Sequence, residues 1–151
     1  MKIYVDTSVI NGLFADDAPE IQAATEDFIL LIRQSHYQLY ISDLVLDEIE
    51  HTKDVLRRKK LLHAVTREDM LILTTAKEQQ ELAQAYIRHK VMSNQFLPDA
   101  LHIVLAVTNK IPILVSWNFK HMVRHHTRVL VNQVNEKLDY PTIDICSPQE
   151  V

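Results

Sequence analysis

Four short apolar runs set the frame of this chain. Ile3-Tyr4-Val5, Leu39-Tyr40-Ile41, Met70-Leu71-Ile72-Leu73 and Ile113-Leu114-Val115 are each too short to be a helix. Longer stretches separate them, with apolar residues recurring every three or four positions. Short runs that are continuous rather than alternating suit strands buried on both faces. Strands alternating with helices predict an α/β fold with a central, mostly parallel sheet and helices on both faces, a three-layer α/β/α arrangement.

In such a sheet the strand ends and the starts of the following helices share one edge, where ligands bind. Asp6 ends the first strand, with Thr7 and Ser8 directly behind it. Ser42 is placed as the cap of the helix after the second strand, and Glu48 lies in the early turns of that helix. Pro98 and Asp99 open the helix that leads into the last central strand. Ser116 ends that strand and Asn118 lies just past it. Topology alone sends these residues to one rim.

Elsewhere, Ile21, Ala24, Phe28, Leu31 and Ile32 form a core-facing helical stripe. Thr75-Ala76-Lys77-Glu78 reads as a capping box that opens a helix running to about Val91, with Leu82, Ala85, Tyr86 and His89 on one face. Ile143-Asp144-Ile145-Cys146 is placed as a last edge strand. No repeat or linker divides the chain, so residues 1–151 are expected to form a single domain.

Composition removes several functions. Gly12 is the only glycine, which excludes Gly-rich phosphate loops of the P-loop or dinucleotide type. The single cysteine, Cys146, permits no intramolecular disulfide. No apolar run is long enough to cross a bilayer, and Met1-Lys2 leads straight into a strand without a signal pattern. These features point to the cytoplasm and to no membrane association. The net charge of -4 argues against wholesale electrostatic binding of nucleic acid. It is compatible with a metal-dependent nuclease, whose acids lower the net charge.

Asp6, Glu48 and Asp99 meeting at one point would repel one another, and charged carboxylates in that position call for a cation. Oxygen donors without cysteine favour Mg²⁺ or Mn²⁺ over Zn²⁺. Such an ion lowers the pKa of water and stabilises charge on a phosphodiester. Each acid also has a plain structural role open to it. Asp6 can cap the turn after its strand, Glu48 can be a solvated helix-edge residue, and Asp99 can complement a helix dipole. His102, three residues after Asp99, suits a structural or surface role better than metal ligation. His121 and His125, four apart, suit a solvated basic face. Lys120, His121, Arg124, His125, His126 and Arg128 could neutralise RNA phosphates beside the rim. Arg57-Arg58-Lys59-Lys60 reads as a solvated helix face. Trp117 and Phe119 fit core packing better than base stacking.

Val5-Asp6-Thr7-Ser8-Val9-Ile10, the lone Glu48 after an apolar strand, Pro98-Asp99-Ala100-Leu101-His102-Ile103 and Leu114-Val115-Ser116-Trp117-Asn118-Phe119 together resemble the PIN domain family, in the right order and over nearly the whole chain. The resemblance implies a VapC-like single-domain ribonuclease dependent on Mg²⁺ or Mn²⁺, leaving a 3′-hydroxyl and a 5′-phosphate. It implies Asp6, Glu48 and Asp99 as metal-binding acids, Ser116 as the Thr or Ser before the fourth acid, and Asn118 where that acid commonly stands. Many single-domain members are toxins of toxin–antitoxin pairs, which implies an antitoxin protein as partner besides the RNA substrate. Exposed apolar helix faces would suit a homodimer. Asn118 brings no negative charge, so weaker metal binding is expected, above all of a second ion. Two other readings stay open. One is a PIN-like module that binds RNA or protein without cutting. The other is phosphotransfer at Asp6, for which the usual lysine after a later strand is missing.

Overall fold

A computed structural model describes residues 1–151. Five strands form one sheet: β1 (Lys2–Val5), β2 (Gln38–Ser42), β3 (Leu71–Leu73), β4 (Ile113–Val115) and β5 (Asp144–Cys146). Their order is 3-2-1-4-5 and every pairing is parallel. Seven helices alternate with them: α1 (Thr7–Gly12), α2 (Pro19–Ser35), α3 (Asp43–Glu50), α4 (Val55–Arg67), α5 (Lys77–Arg88), α6 (Leu97–Thr108) and α7 (His125–Lys137). None is long and apolar enough to cross a membrane.

β1 is the central strand. Tyr4 lies between Tyr40 of β2 and Leu114 of β4. Ile3, Tyr4 and Val5 are fully buried, which explains a run without polar alternation. From β1 the chain builds outward through β2 to β3, then returns to add β4 and β5 on the other side. The order therefore reverses between β1 and β4. A crevice at the strand ends is expected at such a switch point. Asp6 and Ser116 stand on its two sides.

Several sequence expectations shift in detail. The buried face of α2 is Thr25, Phe28, Ile29 and Ile32, so the predicted stripe is right at Phe28 and Ile32 and displaced at Ile21, Ala24 and Leu31, which are half-buried. Ser42 occupies the cap position of α3 without capping it; its hydroxyl bonds the Tyr4 hydroxyl at 2.8 Å instead. The start of α5 is closed by Gln79, whose Oε1 accepts from the Ala76 amide at 2.8 Å. Thr75 turns away to give both its amide and its hydroxyl to Asp43. α5 ends at Arg88 rather than near Val91, and His89 is exposed. α6 is buried at Ala100 and continuously from His102 to Val107, because it is covered by α5 as well as facing the core.

Five helices end on a residue in left-handed conformation that is not glycine: His36, Asp69, Lys90, Lys110 and Asp139, with φ between 49° and 60°. Gly12 is spent elsewhere. A Cβ there would meet Thr25 Oγ1 at 2.6 Å and Trp117 Nε1 at 2.9 Å, the two atoms that bond each other at 2.9 Å. Alanine normally suits a helix better than glycine, so any loss comes from this contact. Gly12→Ala is expected to lower stability by about 1–3 kcal/mol. It should also move the emission of the single tryptophan in a fluorescence-monitored urea titration.

Glu68, its side chain 5% exposed, ties α2 to the end of α4 by accepting from Arg33 and from Arg67 Nε at 2.9 Å. Burial pushes its carboxyl up, but the hydrogen bonds and charges of Arg33 and Arg67 outweigh this and hold it below the usual carboxylate range. A lowered folded-state pKa gives stability that is present above the unfolded value and is lost as pH falls through the folded one. Both arginines are about half exposed, so the gain is small. Glu68→Gln should lose about 1 kcal/mol at neutral pH, and the gap to wild type should close in urea titrations below about pH 4.

Candidate active site

Asp6 follows β1 in extended backbone and is 4% exposed. Its side chain does two jobs. Oδ1 accepts from Val9 N at 3.4 Å and so caps α1. The same carboxylate accepts from Ser8 Oγ at 2.5 Å and, through Oδ2, from Ser116 Oγ at 2.6 Å. The structural and functional roles foreseen for Asp6 are thus compatible rather than alternative. Burial pushes its carboxyl up, against the pull of His102 and the two serines.

The two serines also fix the opposite side of the crevice. Ser8 Oγ accepts from Trp117 N at 2.8 Å, and Ser116 Oγ accepts from Asn118 N at 2.9 Å. The loop after β4 is therefore bonded to the residues after β1. Trp117 is anchored by its ring N–H on Thr25, as core packing predicts. Phe119 is exposed.

Glu48 reaches the rim from α3 with its side chain 38% exposed. Its Oε1 accepts from Thr7 Oγ1 at 2.9 Å and from His102 Nε2 at 2.6 Å. Burial pushes this carboxyl up, and His102 and Thr7 more than offset it. His102 is 2% exposed. Its other nitrogen, Nδ1, lies 2.8 Å from the Tyr4 hydroxyl, which in turn meets Ser42 Oγ. Two proton arrangements satisfy this chain. Either Ser42 donates to Tyr4 and Tyr4 to Nδ1, or Nδ1–H donates to Tyr4 and Tyr4 to Ser42. In both, Nε2–H points at Glu48.

Asp99 lies in the first turn of α6, half-buried. Burial raises its carboxyl most, and the nearby Asp6 charge adds to this; His102, His121 and the Asn118 side chain pull it down. Asn118 Oδ1 accepts from His121 N at 3.0 Å and holds the turn after β4. Its carbonyl is engaged in the fold, which leaves the amide as the group available to Asp99.

This fold has known counterparts. The family model for the PIN domain matches residues 3–119. The chain belongs to the PIN domain family. No curated protein matches it. Among solved structures it is similar to a chain of VapBC2 from Rickettsia felis bound to a DNA fragment from their promoter, at TM-score 0.63 and 15% identity over 97% of this chain and 98% of that one. It is also similar to Mycobacterium tuberculosis VapC20, a Sarcin-Ricin loop cleaving toxin, at TM-score 0.58 and 16% identity over 79% of this chain and 92% of that one. The PIN match holds all four rim positions, Asp6, Glu48, Asp99 and Asn118, and stops before α7 and β5.

PIN domains typically act with divalent metals, and the donor chemistry here suits one. Asp6 and Asp99 are desolvated acids, the charge of Asp6 raises Asp99 further, and His102 favours the charged form of both. Glu48 Oε2 accepts no side-chain hydrogen bond, and the Asn118 side chain is the one hydrogen-bonding neighbour of the Asp99 carboxylate. No three His, Cys, Asp or Glu side chains converge tightly enough to cage an ion unaided. Mg²⁺ does not need such a cage, since it keeps several waters and takes one or two carboxylates directly.

Other sequence candidates fall outside the rim. His121 stacks on Phe96 with ring centroids 3.6 Å apart and forms no metal cluster with His125. Arg57 binds the carbonyl groups of Phe14 and Asn11, and Arg58 that of Thr52. Arg128 pairs with Glu150 at 3.1 Å. The thiol of buried Cys146 is pushed up to about 12, chiefly by burial, so it is no nucleophile at neutral pH.

Thr7 and Ser8 hold acids directly, Tyr4 and Ser42 act only through His102, and none of these bonds was expected. The only signal was the hydroxyl pair directly after Asp6. The chain through Tyr4 and His102 is open to a double-mutant cycle. His102→Ala should cost about 2–4 kcal/mol and Tyr4→Phe about 1–2 kcal/mol. The double variant should fall short of their sum by at least about 0.5 kcal/mol in urea denaturation. Strict additivity would mean the two side chains do not share a bond.

Proposed function

We propose that this PIN domain is a metal-dependent endoribonuclease and the toxin of a toxin–antitoxin pair. The observation that carries the reading is the charge on the rim. Asp6 and Asp99 are desolvated, Asp99 lies in the field of Asp6, and the support comes from histidines, His102 for both and His121 for Asp99, with no lysine or arginine. Family membership agrees with it, as does the fold shared with a toxin that cleaves the Sarcin-Ricin loop. Asp6, Glu48 and Asp99 would hold Mg²⁺ or Mn²⁺ directly or through water, and such an ion, when bound, would supply an activated water and charge neutralisation at the scissile phosphodiester.

The protein's own groups prepare the site. Ser8 and Ser116 keep both Asp6 oxygens oriented across the crevice. Thr7 and His102 direct Glu48 through one oxygen and leave the other open. Asn118 holds the turn after β4 by its carbonyl and stands beside Asp99 without adding a charge. That last feature favours a second reading, a PIN module that binds RNA or a protein partner with little or no turnover. Similarity to a chain of the VapBC2 complex supports an antitoxin as the protein partner.

The decisive measurement is RNA cleavage against Mn²⁺ concentration. Asp6→Asn, which keeps the shape of the side chain, should slow cleavage by about a hundredfold or more. Equal rates in both proteins would sink the assignment of Asp6. Asn118→Asp should tighten Mn²⁺ binding by about tenfold, read by calorimetry. RNA binding with no turnover at any divalent concentration would favour the second reading.

A further inference from the structure

A second cleft opens beside the rim, between the end of α5 and the loop that enters α7. It encloses about 460 Å³, within the range of about 300–1,000 Å³ usual for small-ligand sites. Lys90, Phe96, His121, Arg124 and His126 form its charged and aromatic wall, and Val91 is part of an apolar floor. None of its lining residues is acidic, on a chain of net charge -4.

The cations in this wall have no acid partner. Lys90 is exposed and has no carboxylate within ion-pair reach. Arg124 gives Nη1 to the Lys120 carbonyl at 3.0 Å and likewise has no acid partner. Phe96 and His121 lie nearly parallel, 26° apart. The cleft is continuous with the rim, since His121 is held by Asn118 through its amide and lies close enough to Asp99 to favour that acid's charged form.

We propose that this cleft binds one unpaired nucleotide of an RNA strand, next to the bond cut at the rim. The base lies against the Phe96–His121 stack and the phosphate between Lys90 and Arg124. The proposal rests on the ribonuclease reading of the rim and assigns a nucleotide subsite beside it. Free cations on an otherwise acidic protein attract phosphate. An aromatic stack over an apolar floor adds a surface for a base, and it accepts any base because each has a π-face. An acidic peptide would use the cations and leave the stack idle. A base lodged here cannot be paired, so Phe96 contributes to holding an unpaired strand and not a duplex.

The test uses the full chain and a short, fluorescein-labelled single-stranded RNA of mixed sequence, with EDTA present so that nothing is cut. Lys90→Ala and Arg124→Ala should each weaken binding about fivefold or more and lower the slope of log K against log salt by about one. Phe96→Leu should weaken binding about fivefold or more with the slope unchanged. The same sequence as a duplex should bind more weakly and ignore Phe96→Leu. In Mn²⁺, all three variants should raise KM and leave kcat as in wild type. Thermal melts check that Phe96→Leu is folded, and Lys90→Glu repeats the test at an exposed position.

Outcomes separate the two ideas. Wild type that binds RNA through these residues yet never cuts leaves the cleft standing and removes the ribonuclease reading. Wild type that cuts, with variants that bind and cut equally well, removes the cleft alone. Absence of RNA binding by wild type overturns the cleft. So does an acidic peptide that displaces RNA from wild type, if Phe96→Leu changes nothing.

Discussion

A carboxylate buried at the end of a central strand is unstable as an anion unless something beside it accepts the charge. Asp6 is in that position, with two serine hydroxyls and the first turn of α1 as its direct support. The serines come from opposite sides of the point where strand order reverses. Orienting one acid therefore also fastens the loop after β4 to the start of α1. The crevice is shaped by the same few bonds that hold its charge.

His102 plays the matching part on the other side. It joins β1, α3 and α6, since Tyr4, Glu48 and His102 come from those three elements. A buried histidine with both nitrogens bonded has a fixed ring plane and a fixed direction for its Nε2–H. Glu48, about a third exposed and otherwise free to choose among rotamers, inherits that direction. The acids thus differ in kind. Asp6 is immobilised by short bonds, Glu48 is steered through an intermediary, and Asp99 is set mainly by its place on α6. Asn118 fits this division. A fourth carboxylate in its place would add repulsion to two acids already held above their ordinary range.

The rim was legible in the sequence because it depends on order alone. Once the apolar runs are strands and the connections are helices, Asp6, Glu48, Asp99 and Asn118 must arrive at one edge. The bonds between them were not legible, because side-chain partners depend on distances across the chain. Ser42 looked like a cap and serves Tyr4 instead, a choice settled by how β1 and β2 register. His102 was readable as structural, but its place between Tyr4 and Glu48 depends on how deeply α6 is buried beneath α5. The α2 stripe shifted for a similar reason. Periodicity marks a face but leaves its centre open, and Thr25 joined that face to receive the Trp117 ring N–H. At α5, Thr75 and Gln79 were both within reach of the cap, and Asp43 drew Thr75 away.

The five left-handed helix ends have a consequence for stability. L-residues other than glycine hold that conformation at a penalty of about 1 kcal/mol or more each. Asp69 and Asp139 tolerate it better than His36, Lys90 and Lys110 do. Folded stability has therefore been left unclaimed at five separate surface turns, where one small residue would recover some of it. Substitution at those turns can therefore add stability without touching the core. The gains should be nearly additive, since the five turns close five different helices.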